Sequence, residues 1–184
     1  MYIDGFAVVA ERHRVGGPAA VRALRRDAVA TRDVLHPDRA GAERKTFGDV
    51  VLRGGGRVVD RDRLGEQGVV VLISRGTGKD NLALMAGDGW AGDELVRWEH
   101  PDDADAAITV WSTAWVSAED AKDFSYAYRR LLATRYPGAV AGDANDDDLR
   151  VVHDGRVWTV RRDDDIVRVM VGPATQETAP KTSP

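Results

Sequence analysis

Apolar positions make the first division of the chain. Near the start, Tyr2, Phe6 and Val9 fall on one helical face with Ile3, Ala7 and Ala10 beside them, so the spacing predicts a helix over about residues 2–14. Gly16 and Gly17 stop it, and Pro18 suits the first turn of a second helix that carries Val21 and Leu24 at core spacing and Arg22, Arg25 and Arg26 outside. The two read as a helical hairpin. From Asp33 to Gly56 turn residues dominate, and at most one strand, at Val50–Leu52, is expected there. Between Asp62 and Gly76 the pattern conflicts: Leu64, Val69 and Leu72 have helical spacing, while Val69–Ile73 is a short, β-branched run suited to a strand. Asp80 or Asn81 then caps a short helix that Gly87 and Gly89 end.

Strand alternation takes over at Glu94–Glu99 and Ala107–Val116, with HPDDADA between them as a turn, which predicts an antiparallel pair whose second strand puts Ala107, Thr109, Trp111, Thr113 and Trp115 on one face. Ser117 and Asp120 form an S-x-x-D capping signal, and Ala121, Phe124, Tyr128, Leu131 and Leu132 continue it as an apolar stripe up to Tyr136-Pro137-Gly138. After the acidic stretch GDANDDD, the segments VWTVRR and IVRVMVG flank Asp163–Asp165 as a second hairpin. The order β-β-α-β-β makes a two-layer α+β unit with a small antiparallel sheet, on which the N-terminal helices pack. The expected organisation is a helical hairpin plus irregular segment over residues 1–60, an α+β domain over 61–173 and a polar tail over 174–184.

Composition adds few constraints. Of 184 residues, 43% are hydrophobic, which is enough for a core, and a net charge of −4 removes the basic field that would favour nucleic acid. The absence of cysteine excludes disulfides, thiolate zinc sites and a cysteine nucleophile. No apolar run approaches the roughly 20 residues of a membrane helix, and MYIDGFAVVAERHR lacks the basic-then-apolar order of a secretory signal.

Candidate chemistry is sparse. Thr77-Gly78-Lys79 lacks the earlier glycine and the following Ser or Thr of a phosphate loop, since Ile73 and Asp80 stand there, so it reads as a turn. Ser112 and Ser125 sit in no G-x-S-x-G elbow, and His13, His36, His100 and His153 are not spaced to present two imidazoles from one helix. Asp143, Asn145, Asp147 and Asp154 occupy positions 1, 3, 5 and 12 of a calcium-loop spacing, but Asp148 replaces the turn glycine and strand pattern follows, which favours a solvated acidic turn over a calcium site. Among the tryptophans, core packing accounts for most. Trp90 and Trp98, whose neighbours are Gly, Asp, Arg and Glu, are kept as surface contributors to a binding site with Asp93.

The segments YIDGFAVVAERHRVGGPAAVRAL, ATRDVLHPDR, DRLGEQGVVVLI, GDGWAGDELVRWE and ITVWSTAWVSAEDAKDFSYAYRRLL resemble, in order, the region that follows the catalytic helix in bacterial and haloarchaeal zinc-metallopeptidase-like proteins. The T-x-x-V-L-H-P element at Thr31–Pro37, G-W-x-G-D at Gly89–Asp93 and W-x-S-x-x-D-A-x-x-F at Trp115–Phe124 carry it, over about residues 2–135. The resemblance implies a helix over Asp62–Gly76. It also implies structural roles for Gly16-Gly17 as a helix break, His36-Pro37 as a turn, and Trp90 and Asp93 as helix-to-strand packing. This sequence has no HExxH, so no zinc ligand or catalytic base carries over.

The expected function is therefore a non-catalytic accessory or binding module, with a protein or peptide, or a peptidase core in trans, as its partner. Its rivals are a peptidase component active only with a separate zinc-binding part, and a calcium-stabilised interaction domain. No cofactor is expected in the first reading, zinc enters only with an upstream or partner segment, and the setting is extracytoplasmic if the parent protein is exported.

Overall fold

The strand alternation around Trp98 and Trp111 becomes a long antiparallel hairpin in the computed structural model of the protein, which describes residues 2–24, 45–47, 56–100, 103–139 and 148–174. The chain divides into two units, Met1–Glu43 and Arg44–Pro184. The first contains α1 (Tyr2–Leu24), two helical stretches that meet at Gly17, whose φ of 62° breaks the helix just before Pro18. The break expected at Gly16-Gly17 is there, although Val9 on the expected apolar stripe is 43% exposed. The expected strand at Val50–Leu52 and turn at His36-Pro37 lie outside the described residues.

The second unit is α+β. Its elements are β1 (Arg57–Asp62), α2 (Gly65–Thr77), α3 (Asp80–Gly87), β2 (Trp90–His100), β3 (Asp103–Trp115), α4 (Ala118–Arg135), β4 (Asp148–His153), β5 (Arg156–Asp163) and β6 (Ile166–Pro173). The strands form one antiparallel sheet in the order β1-β2-β3-β6-β5-β4, so two sequence-local ladders meet at the central β3–β6 pair, where residues 109–114 lie opposite 166–171. This sheet is larger than the expected four strands. The expected boundary at residue 60 falls inside β1; all six of its residues are exposed, so it has no inward face to leave an alternating signature. β4 was not distinguished from the acidic stretch, although Leu149 and Val151 alternate inward.

Local chemistry explains the helices. The conflicting segment at Val69–Ile73 is helical, because Val69 and Ile73, one turn apart, are both fully buried, and that burial outweighs a weak β-branched preference. Gly78, with φ 68°, closes α2 by donating its N–H to the Ser74 carbonyl at 2.8 Å, so Thr77-Gly78-Lys79 is the turn expected of it. The capping box at α4 is complete: Ser117 Oγ accepts from the Asp120 N–H at 3.2 Å, and Asp120 Oδ2 accepts from the Ser117 N–H at 3.0 Å. Ser117→Ala removes one half of this exchange and is expected to lower stability by about 1 kcal/mol. A urea midpoint unchanged from the parent chain would exclude the assignment.

All three of α2, α3 and α4 lie on one face of the sheet. There the Phe124 ring stacks on Trp115 at 4.8 Å and meets Trp111 edge-on at 5.4 Å, with Val69, Ile73, Leu132, Val151, Val160 and Val167 completing the interior. Close approach limits side-chain size at two glycines. A Cβ on Gly76 would stand 2.5 Å from Leu131 of α4, and one on Gly89, whose φ is 73°, would stand 2.3 Å from the Asp120 carboxyl carbon. On the opposite face Val96, Trp98, Ile108, Val110 and Met170 form a second buried cluster. At the end of β2 and β3, Lys45 donates its backbone N–H to the Ala91 carbonyl, and its ammonium to the Trp115 carbonyl and the Asp165 carboxylate.

Candidate functional site

The residues singled out in the sequence are mostly interior. Trp90, Asp93 and Trp98 are 3%, 3% and 7% exposed, so the expectation that the two tryptophans contribute surface is corrected. The reason is strand geometry: Arg97 and Glu99 flank Trp98 in sequence but project from the other face of β2, so polar neighbours say nothing about where Trp98 points. Asp93 joins helix to strand, as the structural reading of that position has it. Leu64 at the start of α2 has no capping side chain, and Asp93, reaching from β2, accepts the Leu64 N–H at 2.8 Å, the Gly65 N–H at 3.0 Å and the Trp111 indole N–H at 2.9 Å. A carboxylate at a helix N-terminus satisfies orphan donors and meets the positive end of the helix dipole. These three residues therefore build the frame and expose no binding surface.

Of the calcium-spaced set, Asp143, Asn145 and Asp147 lie outside the described residues. Asp154 sits exposed in the β4–β5 turn with φ 52°. Among the described residues no cluster of three or more His, Asp or Glu side chains is arranged to hold a metal. No described helix is long and apolar enough to cross a membrane.

Among the described residues a concave feature of the second unit lies elsewhere. A cavity of about 410 Å³ opens between α2, α4 and β5, lined by Leu72, Arg75 and Gly76 of α2, by Tyr128, Leu131, Leu132 and Arg135 of α4, and by Tyr136 and Trp158. Each wall has a local cause. Gly76 lets α2 and α4 approach, and Leu131 fills the space a side chain there would take. Tyr136 ends α4 by donating its N–H to the Leu132 carbonyl at 2.8 Å, which turns its ring out of the helix to lie 4.6 Å from Trp158 and 4.7 Å from His153, centroid to centroid. The helix end is thereby fastened to the β4–β5 hairpin through three aromatic rings.

The electrostatics of the lining are one-sided. It holds two guanidinium groups and no carboxylate. The Arg135 guanidinium carbon sits 5.8 Å from the Tyr136 ring centroid, and its Nε donates to the Tyr136 hydroxyl at 3.3 Å. Burial, with a smaller contribution from neighbouring Tyr136, pushes the Tyr128 hydroxyl up to about 12, so it stays a neutral O–H donor throughout the physiological range. Apolar walls, aromatic rings and a few polar groups suit retention of a small molecule. The lining offers no nucleophile paired with a base. Sequence reasoning missed this site because its walls come from three separated segments; Tyr136 before Pro137 and Trp158 as the one aromatic residue of β5 are the local traces it leaves.

A family model described as a domain of unknown function (DUF8575) matches residues 50–180, which take in the whole sheet and every wall of the cavity. No curated protein and no solved structure matches the chain.

Proposed function

The chain belongs to the DUF8575 family, and from that premise we propose that it is a non-catalytic binding module whose working surface is the cavity between α2, α4 and β5. One observation carries this reading: three aromatic side chains, Tyr128, Tyr136 and Trp158, meet two arginines around about 410 Å³ of accessible space, a volume within the usual range for small-molecule sites. The accessory role expected from the metallopeptidase-like resemblance stands beside it as a proposal about context. The cavity would then act as a sensor or carrier site attached to another activity, and a small molecule replaces the protein or peptide partner as the first ligand to seek.

Titration of the protein with 2-naphthoate and 2-naphthamide, followed by indole N–H resonances, tests the reading. Binding should move the Trp158 resonance, and Trp158→Ala should weaken both compounds at least tenfold, a loss of the size that removing an aromatic contact produces. Failure of both compounds to perturb Trp158, or perturbations confined to other tryptophans, would remove the cavity as the working surface.

A further inference from the structure

Resting on that reading, we infer that the ligand of the cavity is a small aromatic anion, a planar ring carrying a carboxylate or phosphate, held by Arg75 and Arg135 at the anion and by Trp158 and Tyr136 at the ring.

Arg75 lies in the last turn of α2 and Arg135 is the last residue of α4, positions where a cation offsets the negative end of a helix dipole. That role alone would explain their presence, so magnitudes decide. Two helix ends contribute roughly half a negative charge each, against two full positive charges, which leaves about one net positive charge over the cavity. The terminal carbonyls are also partly satisfied already. Ile73 and Ser74 accept from Thr77 Oγ1 and the Gly78 N–H, and Arg130 and Leu132 accept from Thr134 Oγ1 and the Tyr136 N–H. Among the described residues neither arginine forms an ion pair with a carboxylate. Other arginines on this unit do have carboxylate partners: Arg61 pairs with Glu94, Arg97 with Glu99 and Arg161 with Asp148.

The rings set the rest of the ligand. Trp158 and Tyr136 meet as tilted rings at the cavity wall, 4.6 Å apart at 42°, and Tyr128 adds a hydroxyl that stays protonated. A bare inorganic anion would leave that aromatic surface unused, and a neutral ring would leave the two guanidiniums without a counter-charge. An organic cation could lie on the ring faces, but two arginines at the same cavity repel it. Guanidinium is the cation best matched to a planar oxyanion, through paired N–H donors in one plane.

The experiment compares four probes by calorimetry on the full chain: 2-naphthoate, 2-naphthyl phosphate, 2-naphthamide and inorganic phosphate. The expected result is that at least one aromatic anion binds about tenfold more tightly than 2-naphthamide and than inorganic phosphate, the size of one charge-assisted hydrogen-bonded contact. Which of the two aromatic anions leads identifies carboxylate or phosphate as the natural group. Arg75→Gln and Arg135→Gln, both at exposed positions, should each weaken the anion severalfold and 2-naphthamide by much less, so that the preference for the anion falls. Should 2-naphthamide bind as tightly as the anions while Trp158→Ala still abolishes it, the binding-module reading survives and the anion inference is overturned. Inorganic phosphate binding as tightly as the tighter of the two aromatic anions would also overturn it, because the rings would then contribute nothing.

Discussion

Replacing Asp93 by alanine is expected to lower the stability of the second unit by about 3–5 kcal/mol, because it strips one acceptor group from three donors at once. Two of those donors are the first N–H groups of α2, for which the helix supplies no cap of its own, and the third is the buried indole N–H of Trp111. The indole N–H is buried and the two backbone N–H groups are part-buried, so water replaces the lost acceptor only incompletely. Asp93→Asn keeps the shape but turns one oxygen into a donor facing donors, so it should recover only part of the loss. Trp111→Phe removes the indole donor and leaves the helix cap intact, and it separates the two contributions. Urea unfolding followed by tryptophan fluorescence measures all three variants. A loss of less than 1 kcal/mol for Asp93→Ala would mean that the carboxylate does not cap α2 in solution.

The second large effect belongs to Phe124. Its side chain is fully buried, stacked on Trp115 and edge-on to Trp111, with Tyr128 at 5.9 Å on the same helix. Truncation to alanine empties the centre of the layer between α4 and the sheet, where indole rings held by strand register cannot collapse inward. A loss of about 3–5 kcal/mol is expected, against roughly 1–2 kcal/mol for Phe124→Leu, which keeps most of the volume. Near-UV circular dichroism should change with both variants, since the tryptophan environments depend on this ring. Should alanine and leucine behave alike, the site relaxes freely and the packing described for it is wrong.

These two positions also show how far the sequence could be read. Phe124 was legible: it falls on the apolar stripe of a helix announced by its own capping box, and the strand it covers alternates cleanly through Trp111 and Trp115. Where burial follows periodicity, as along α4, pattern and structure coincide. Asp93 was half legible, as a helix-to-strand position within a G-W-x-G-D element; its partners Leu64 and Gly65 lie far enough away in sequence that only the fold brings them to it. Trp98 was misplaced because its polar neighbours face the other way. β1 was invisible, since a fully exposed edge strand such as RVVDRD carries its hydrogen-bonding role in the backbone, with charges that discourage pairing with another chain. The cavity was the least legible feature, being defined by the distance between helix ends and a strand, a quantity no local window contains.

The meeting of two ladders at β3 and β6 gives the cavity a thermodynamic role of its own. Each ladder can form from neighbours in sequence, but the joint between them must close a long loop through α4 before it gains any contact. The cavity draws Leu72 and Arg75 from a helix packed on the first ladder and Trp158 from the second, so it exists only once the halves are joined. An occupant therefore acts as a removable staple across that joint. At a hundredfold excess over its dissociation constant it adds about 2.7 kcal/mol to the assembled state and nothing to either half alone. Binding would then appear as a higher free energy for parting the two halves of the sheet.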